Sequence, residues 1–145
     1  MKILYVDMDN VLVNFQSGID KLSKDDFYKY KGKHYQVPNI FSMMDPLEGA
    51  IEAYEKLSSK YDTYILSTAP WYNSTAWKDK IEWVQKYLVK SAYKRLILSH
   101  HKNLNAGDYL IDDRLRNGAD KFKGEHIHFG TEKFPDWNSV LSYLL

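Results

Sequence analysis

Short apolar runs alternate with amphipathic stretches along the chain. Ile3-Leu4-Tyr5-Val6 is the first run and ends in acids, the pattern of a buried strand that stops at a polar edge. Asp45 then offers an N-cap and Pro46 suits a first helical turn. Leu47, Ala50, Ile51, Tyr54 and Leu57 follow at helical spacing, predicting an amphipathic helix from Asp45 to about Ser59. Tyr64-Ile65-Leu66 reads as a second strand, stopped by Ser67-Thr68-Ala69-Pro70. Asn73 or Ser74 can cap another helix, with Trp77, Ile81, Val84 and Leu88 as its apolar stripe. Leu96–Leu98, Tyr109–Ile111 and Ile127–Phe129 are three further strands, and Leu115–Phe122 is a short helix. Pro135-Asp136 caps a terminal helix that turns Trp137, Val140, Leu141 and Leu144 inward.

This alternation predicts an α/β fold with a mainly parallel five-stranded sheet and helices on both faces. Residues from about 16 to 45 break the rhythm. They carry Lys, Asp, Tyr and Phe without a clean period and are long for a plain loop. They read as a small inserted cap of short helices or irregular structure within a single domain spanning 1–145.

In parallel sheets, ligands bind beyond the carboxyl ends of the strands. Asp7 and Asp9 follow the first strand, and Ser67 and Thr68 follow the second. Lys102 lies between the third and fourth, and Asp112 and Asp113 end the fourth. Each feature alone is ordinary: a turn, a helix cap or a solvated lysine. Together, at the same kind of position, they suit phosphoryl transfer. A carboxylate can attack phosphorus to give an acyl phosphate. A hard divalent cation held by oxygen ligands, with magnesium as the usual choice, removes the repulsion between Asp7 and an anionic ester. Asp7, Asp112 or Asp113, and the backbone carbonyl of Asp9 are its candidate ligands. Alternation points Asp7 and Asp9 to the same side, which lets Asp9 act as general acid and then as base. Ser67 and Thr68 are placed to hydrogen-bond phosphoryl oxygens, and Lys102 to offset their charge.

Composition narrows the partner. The net charge of +1, from 20 basic against 19 acidic residues, gives no support for a nucleic-acid polymer or a membrane surface. The absence of cysteine removes disulfides, thiolate metal sites and a cysteine nucleophile, and fits a cytoplasmic protein. The apolar run at the N-terminus is too short for a signal peptide. Adjacent His100 and His101 point to different sides and lack a third ligand, so neither they nor His126 and His128 read as metal ligands. Aromatic residues make up 15% of the chain, enough to line a pocket for a flat ligand as well as a core.

With these residues in place, the sequence resembles the haloacid dehalogenase (HAD) superfamily of phosphotransferases. Its four motifs are matched by Asp7-Met8-Asp9-Asn10-Val11, by Ser67 with Thr68, by Lys102, and by Asp112-Asp113. Asp7 through Phe15, Ile65 through Pro70, Lys80 through Val84 and Gly107 through Arg114 further resemble the 5′(3′)-deoxyribonucleotidase family. The resemblance implies a three-layer Rossmann-like core with the first strand central. It also implies Asp7 as nucleophile, Asp9 as acid/base, and a magnesium site completed by Asp112 or Asp113. The implied substrate is a nucleoside monophosphate, and the alternative is another small phosphate ester. Asn10 stands where the family usually has Gly, and Asn tolerates left-handed backbone better than most residues. The cap is shorter than usual. Phe15, Tyr28, Tyr30, Tyr35, Phe41, Trp71 and Tyr72 are candidates to stack on a base. A signalling receiver domain uses similar groups in another order, with its lysine near the end. A catalytically dead binding protein is disfavoured by the complete set of carboxylates.

Overall fold

The computed structural model describes all 145 residues. Five strands form one sheet: β1 (Ile3–Val6), β4 (Asp62–Ser67), β5 (Leu96–Leu98), β6 (Tyr109–Asp112) and β7 (Glu125–His128). Their order is β5-β4-β1-β6-β7, all parallel. The chain therefore leaves central β1 toward one edge and later returns to its other side. The crevice between β1 and β6 is the point where strand order reverses, the usual place for a ligand in such sheets.

Alternation along β1 sends Leu4 and Val6 to one face and Tyr5 to the other. The first face joins a large core with residues of helices α3 (Ala50–Ser58), α4 (Ser74–Tyr87) and α5 (Trp137–Leu144). The second face is thinner. There Tyr5, Leu66 and Leu110 meet Ala119 and Phe122 from a short 3₁₀ segment rather than a full helix. The helix expected over Leu115–Phe122 is thus only a 3₁₀ turn at Ala119–Lys121. Asn117 (φ 55°) and Gly118 (φ 81°) explain it, because two successive left-handed residues cannot sit inside an α-helix.

The helix expected from Asp45 also starts later, at Ala50. Asp45–Pro46 instead forms strand β3, antiparallel to β2 (Val13–Asn14). The Asp45 backbone N–H donates to Ser17 Oγ, and its carboxylate meets Lys21 Nζ at 2.9 Å. Gly49, in the left-handed region at φ 77°, then turns the chain into α3. Between β2 and β3 lie α1 (Phe15–Ile19), α2 (Lys24–Lys29) and two 3₁₀ turns, at His34–Gln36 and Ile40–Met43.

The stripe expected on α4 is displaced. Its buried residues are Ala76, Asp79, Lys80, Trp83 and Val84, while Ile81 is 40% exposed. A hydrophobicity pattern cannot find a face that buries Asp and Lys. Asp79 has no hydrogen-bond partner, and Lys78 Nζ approaches it only to 3.8 Å. Burial pushes its pKa up, partly offset by Lys78. A carboxyl whose folded pKa is raised costs stability that builds as pH rises above its unfolded-state pKa and is complete above its folded-state pKa. Asp79→Asn is therefore expected to stabilise the protein by about 1 kcal/mol at pH 8. The gain should fade as pH falls through the folded-state pKa; thermal melts across that range check it, and a uniform or destabilising effect would count against it.

Candidate active site

The site is built on the carboxyl ends of β1, β4 and β6. Beyond β1 the chain makes a tight turn in which the N–H groups of Val11, Leu12 and Val13 all donate to the Met8 carbonyl, at 2.8–3.1 Å. Asn10 sits at φ 60°, so the residue standing in place of glycine does take up left-handed backbone. Trp137 Nε1 on α5 donates to the Val11 carbonyl at 2.7 Å and pins this turn to the main core.

Asp7 is buried. Lys102 Nζ donates to Asp7 Oδ1 at 3.0 Å and to Asp112 Oδ2 at 2.5 Å. The second Asp112 oxygen accepts the Arg114 backbone N–H at 3.0 Å. Asp113 is more open. Carboxylate oxygens of Asp7, Asp112 and Asp113 all lie within 4.8 Å of one another. Behind them, His126 and His128 stack at 5.2 Å, and their Nε2 atoms meet the backbone carbonyls of Asp112 and Asp113 at 3.0 Å. These histidines brace the acidic loop rather than ligate anything.

Electrostatics mark the cluster as short of positive charge. Burial raises the Asp7 pKa, against the pull of Lys102. Asp113 is pushed up to about 8, first by burial and then by neighbouring Asp7. Lys102 resists desolvation because Asp7 and Asp112 together hold it at about 12. Asp9 is not one of the trio and pairs with Lys80 Nζ at 2.9 Å. Four carboxyl groups thus face two ammonium groups, an excess of two negative charges once all four are ionised, and the raised pKa values of Asp7 and Asp113 reflect that excess. An all-oxygen trio with that excess fits a hard divalent cation.

The cleft above these groups has a volume of about 600 Å³. Asp7, Asp9, Thr68, Lys102, Asp112 and Asp113 all line it, so the residues expected for catalysis, phosphate and metal converge with one exception. Ser67 is fully buried behind the cleft, where its Oγ accepts from Lys80 Nζ at 2.9 Å. Thr68 faces the cleft, although its Oγ1 donates to the Ser99 carbonyl at 2.7 Å. Phe15 and Trp71 contribute to the walls together with Tyr35, whereas Tyr72 is 86% exposed and does not. Sequence reading missed His34, His100, Arg114, Arg116 and Asn117 in the lining. It also gave Lys80 no role in the site, although Lys80 opens one of the stretches that carry the family resemblance and falls three residues after Trp77 and four before Val84, on the helix face that should be apolar.

The chain as a whole is similar to known proteins. The family model described as 5′ nucleotidase, deoxy (pyrimidine), cytosolic type C protein matches residues 16–136. A protein of Vibrio phage KVP40, provisionally named a 5′(3′)-deoxyribonucleotidase, is 62% identical over 142 residues, covering 98% of this chain and 84% of that one. The human cytosolic-type 5′(3′)-deoxyribonucleotidase is 25% identical over 167 residues, covering 94% of this chain and 77% of that one. Among solved structures, YfnB of Bacillus subtilis, provisionally classed as a HAD-hydrolase and solved bound to magnesium, aligns with a TM-score of 0.64. That alignment covers 99% of this chain and 98% of the other at 12% identity, a likeness of fold. The chain belongs to the cytosolic type C 5′ nucleotidase, deoxy (pyrimidine) family.

Proposed function

We propose that the protein is a magnesium-dependent phosphomonoesterase that hydrolyses (deoxy)nucleoside monophosphates through an acyl phosphate on Asp7. One observation carries the reading: Asp7 lies in a cleft with Lys102 and two further acids at its base and Phe15, Tyr35 and Trp71 on its walls. Such a cleft offers charge for a phosphate and flat surfaces for a base.

Asp7, Asp112 and Asp113, with the Asp9 backbone carbonyl, are the residues that would hold magnesium. Bound there, the ion would neutralise charge on the phosphoryl oxygens. The chain's own groups do the rest. Lys102 orients the Asp7 carboxylate through the contact at Oδ1 and holds Asp112 beside it. An Asp7 oxygen forms a bond to phosphorus as the ester P–O bond breaks, and the departing oxygen takes a proton from Asp9. Water then gives a proton to Asp9 and attacks phosphorus. The acyl–phosphate bond breaks, inorganic phosphate leaves, and both carboxyl groups return to their starting states. Thr68 offers its hydroxyl toward the phosphoryl oxygens. Residues from about 16 to 45 act as a reduced cap that brings Tyr35 to the cleft beside Phe15.

No helix is long and apolar enough to cross a membrane. We place the enzyme in the cytoplasm, in keeping with its lack of cysteine.

The test is phosphate release from deoxynucleoside, nucleoside and sugar monophosphates, with magnesium and with a chelator. Preferential release from nucleotides, lost on chelation by about 100-fold or more, is the expected result. Turnover of sugar phosphates alone would keep the mechanism and discard the nucleotide. Chelator-resistant turnover would remove the metal from the account.

A further inference from the structure

Lys80 is the one buried cation near the site that the mechanism above leaves without a task. It lies on α4 and is completely buried. Its Nζ donates to Asp9 Oδ1 and to Ser67 Oγ, both at 2.9 Å, and sits 4.6 Å from the centre of the Phe41 ring. Every polar neighbour of the ammonium therefore belongs to the ends of β1 and β4, and none comes from its own helix. A fully desolvated lysine is costly unless its charge is matched, and an apolar side chain of similar length would fill the same space at lower cost. Lys80 does not line the cleft, so it cannot touch a substrate phosphate there.

The partner it fixes is informative. The Asp9 side chain has no hydrogen bond other than the one from Lys80, and Asp9 is itself partly open to the cleft. No other hydrogen bond holds the orientation of the Asp9 carboxyl. Ser67, held on the other side, keeps Lys80 in place. Phe41 adds a third contact, and it packs edge-on at 5.7 Å against Phe15 of the cleft wall. Phe15, Phe41, Lys80 and Asp9 thus form one contiguous line from the wall to the acid/base.

We infer that Lys80 is a positioning residue that aims Asp9 at the leaving-group oxygen, acting through its hydrogen bond to Asp9 Oδ1 and not through substrate. This rests on the phosphatase reading above. It assigns Ser67, which the sequence suggested for phosphate binding, to holding Lys80.

The experiment compares wild type, Lys80→Met, Asp9→Asn and the double variant, each with magnesium. The substrates are a deoxynucleoside monophosphate, whose leaving alkoxide needs a proton, and p-nitrophenyl phosphate, whose leaving phenolate does not. Because kcat/KM reports steps up to ester cleavage, it isolates the proton donated to the leaving group. Lys80→Met should lower kcat/KM for the nucleotide by about 100-fold and for the aryl ester by less than about 10-fold. The double variant should be no slower than Asp9→Asn, since the lysine acts through the carboxylate. Equal losses on the two esters, or losses that multiply in the double variant, would assign Lys80 to the fold alone and overturn the inference. If Lys80→Met does not fold, Ser67→Ala takes its place. It frees one side of Lys80 and should cost about 3- to 10-fold on the nucleotide only; no loss overturns the inference. A wild type that cleaves neither ester defeats the phosphatase reading and this inference with it, whereas a wild type that cleaves both while the variants match it defeats this inference alone.

Discussion

Asp7→Asn is expected to lower kcat by about 10⁴-fold or more while leaving the protein folded. The amide has the volume of the carboxylate, and its oxygen can still accept from Lys102, so the packing around β1 is kept. What it lacks is a nucleophilic oxygen. The stability side of the prediction has its own sign. Burial raises the Asp7 pKa, so the ionised carboxyl is a cost that the fold bears. Removing that charge is expected to leave the metal-free melting temperature unchanged or higher. Phosphate release and thermal melts on the same preparation check both parts. Turnover within tenfold of wild type would show that Asp7 is not the attacking group.

The second large effect is at Lys102. It is almost fully buried and joins Asp7 to Asp112. Its pKa is held at about 12, above the ordinary lysine value. A raised folded-state pKa means that the ammonium's stabilisation is complete below the unfolded-state value and is lost only as pH rises through about 12. At neutral pH the charge is therefore fully in use. Lys102→Met removes one partner of a buried ionic cluster, which costs about 3–5 kcal/mol. In a domain of this size that corresponds to roughly a 10 °C fall in melting temperature in the presence of chelator. Magnesium should then raise the melting temperature of the variant by more than it raises that of wild type, because the ion supplies charge where the lysine is missing. Turnover should still fall by about 100-fold, since the orientation of Asp7 is lost. An unchanged melting temperature in chelator, with the same magnesium response as wild type, would mean that the carboxylates do not depend on Lys102.

Much of this site was legible because strand ends can be read from sequence. Asp7, Thr68, Lys102, Asp112 and Asp113 each follow or link an apolar run, and the parallel sheet brings those ends together. Asn10 was legible for a different reason: a family position usually held by glycine, filled by the residue that best tolerates positive φ, does have φ 60°. The failures have physical causes too. Asp45-Pro46 has the chemistry of a helix start but is claimed by pairing with β2 and by Lys21. Ser67 and Thr68 are adjacent on an extended chain, so only one of them can face the cleft. The burial of Lys80 could not be read from its stretch of sequence because it depends on partners that are 71 and 13 residues away. Periodicity therefore favoured Ile81, which the fold leaves 40% exposed.

The proposed covalent step can be tested directly. Wild-type protein is mixed with a deoxynucleoside monophosphate carrying radiolabelled phosphate, quenched in acid within the first turnover, and digested. The account predicts hydroxylamine-sensitive label on the peptide that contains Asp7, and none in Asp7→Asn. Full-rate phosphate release with no label on that peptide, or equal labelling of the variant, would contradict it.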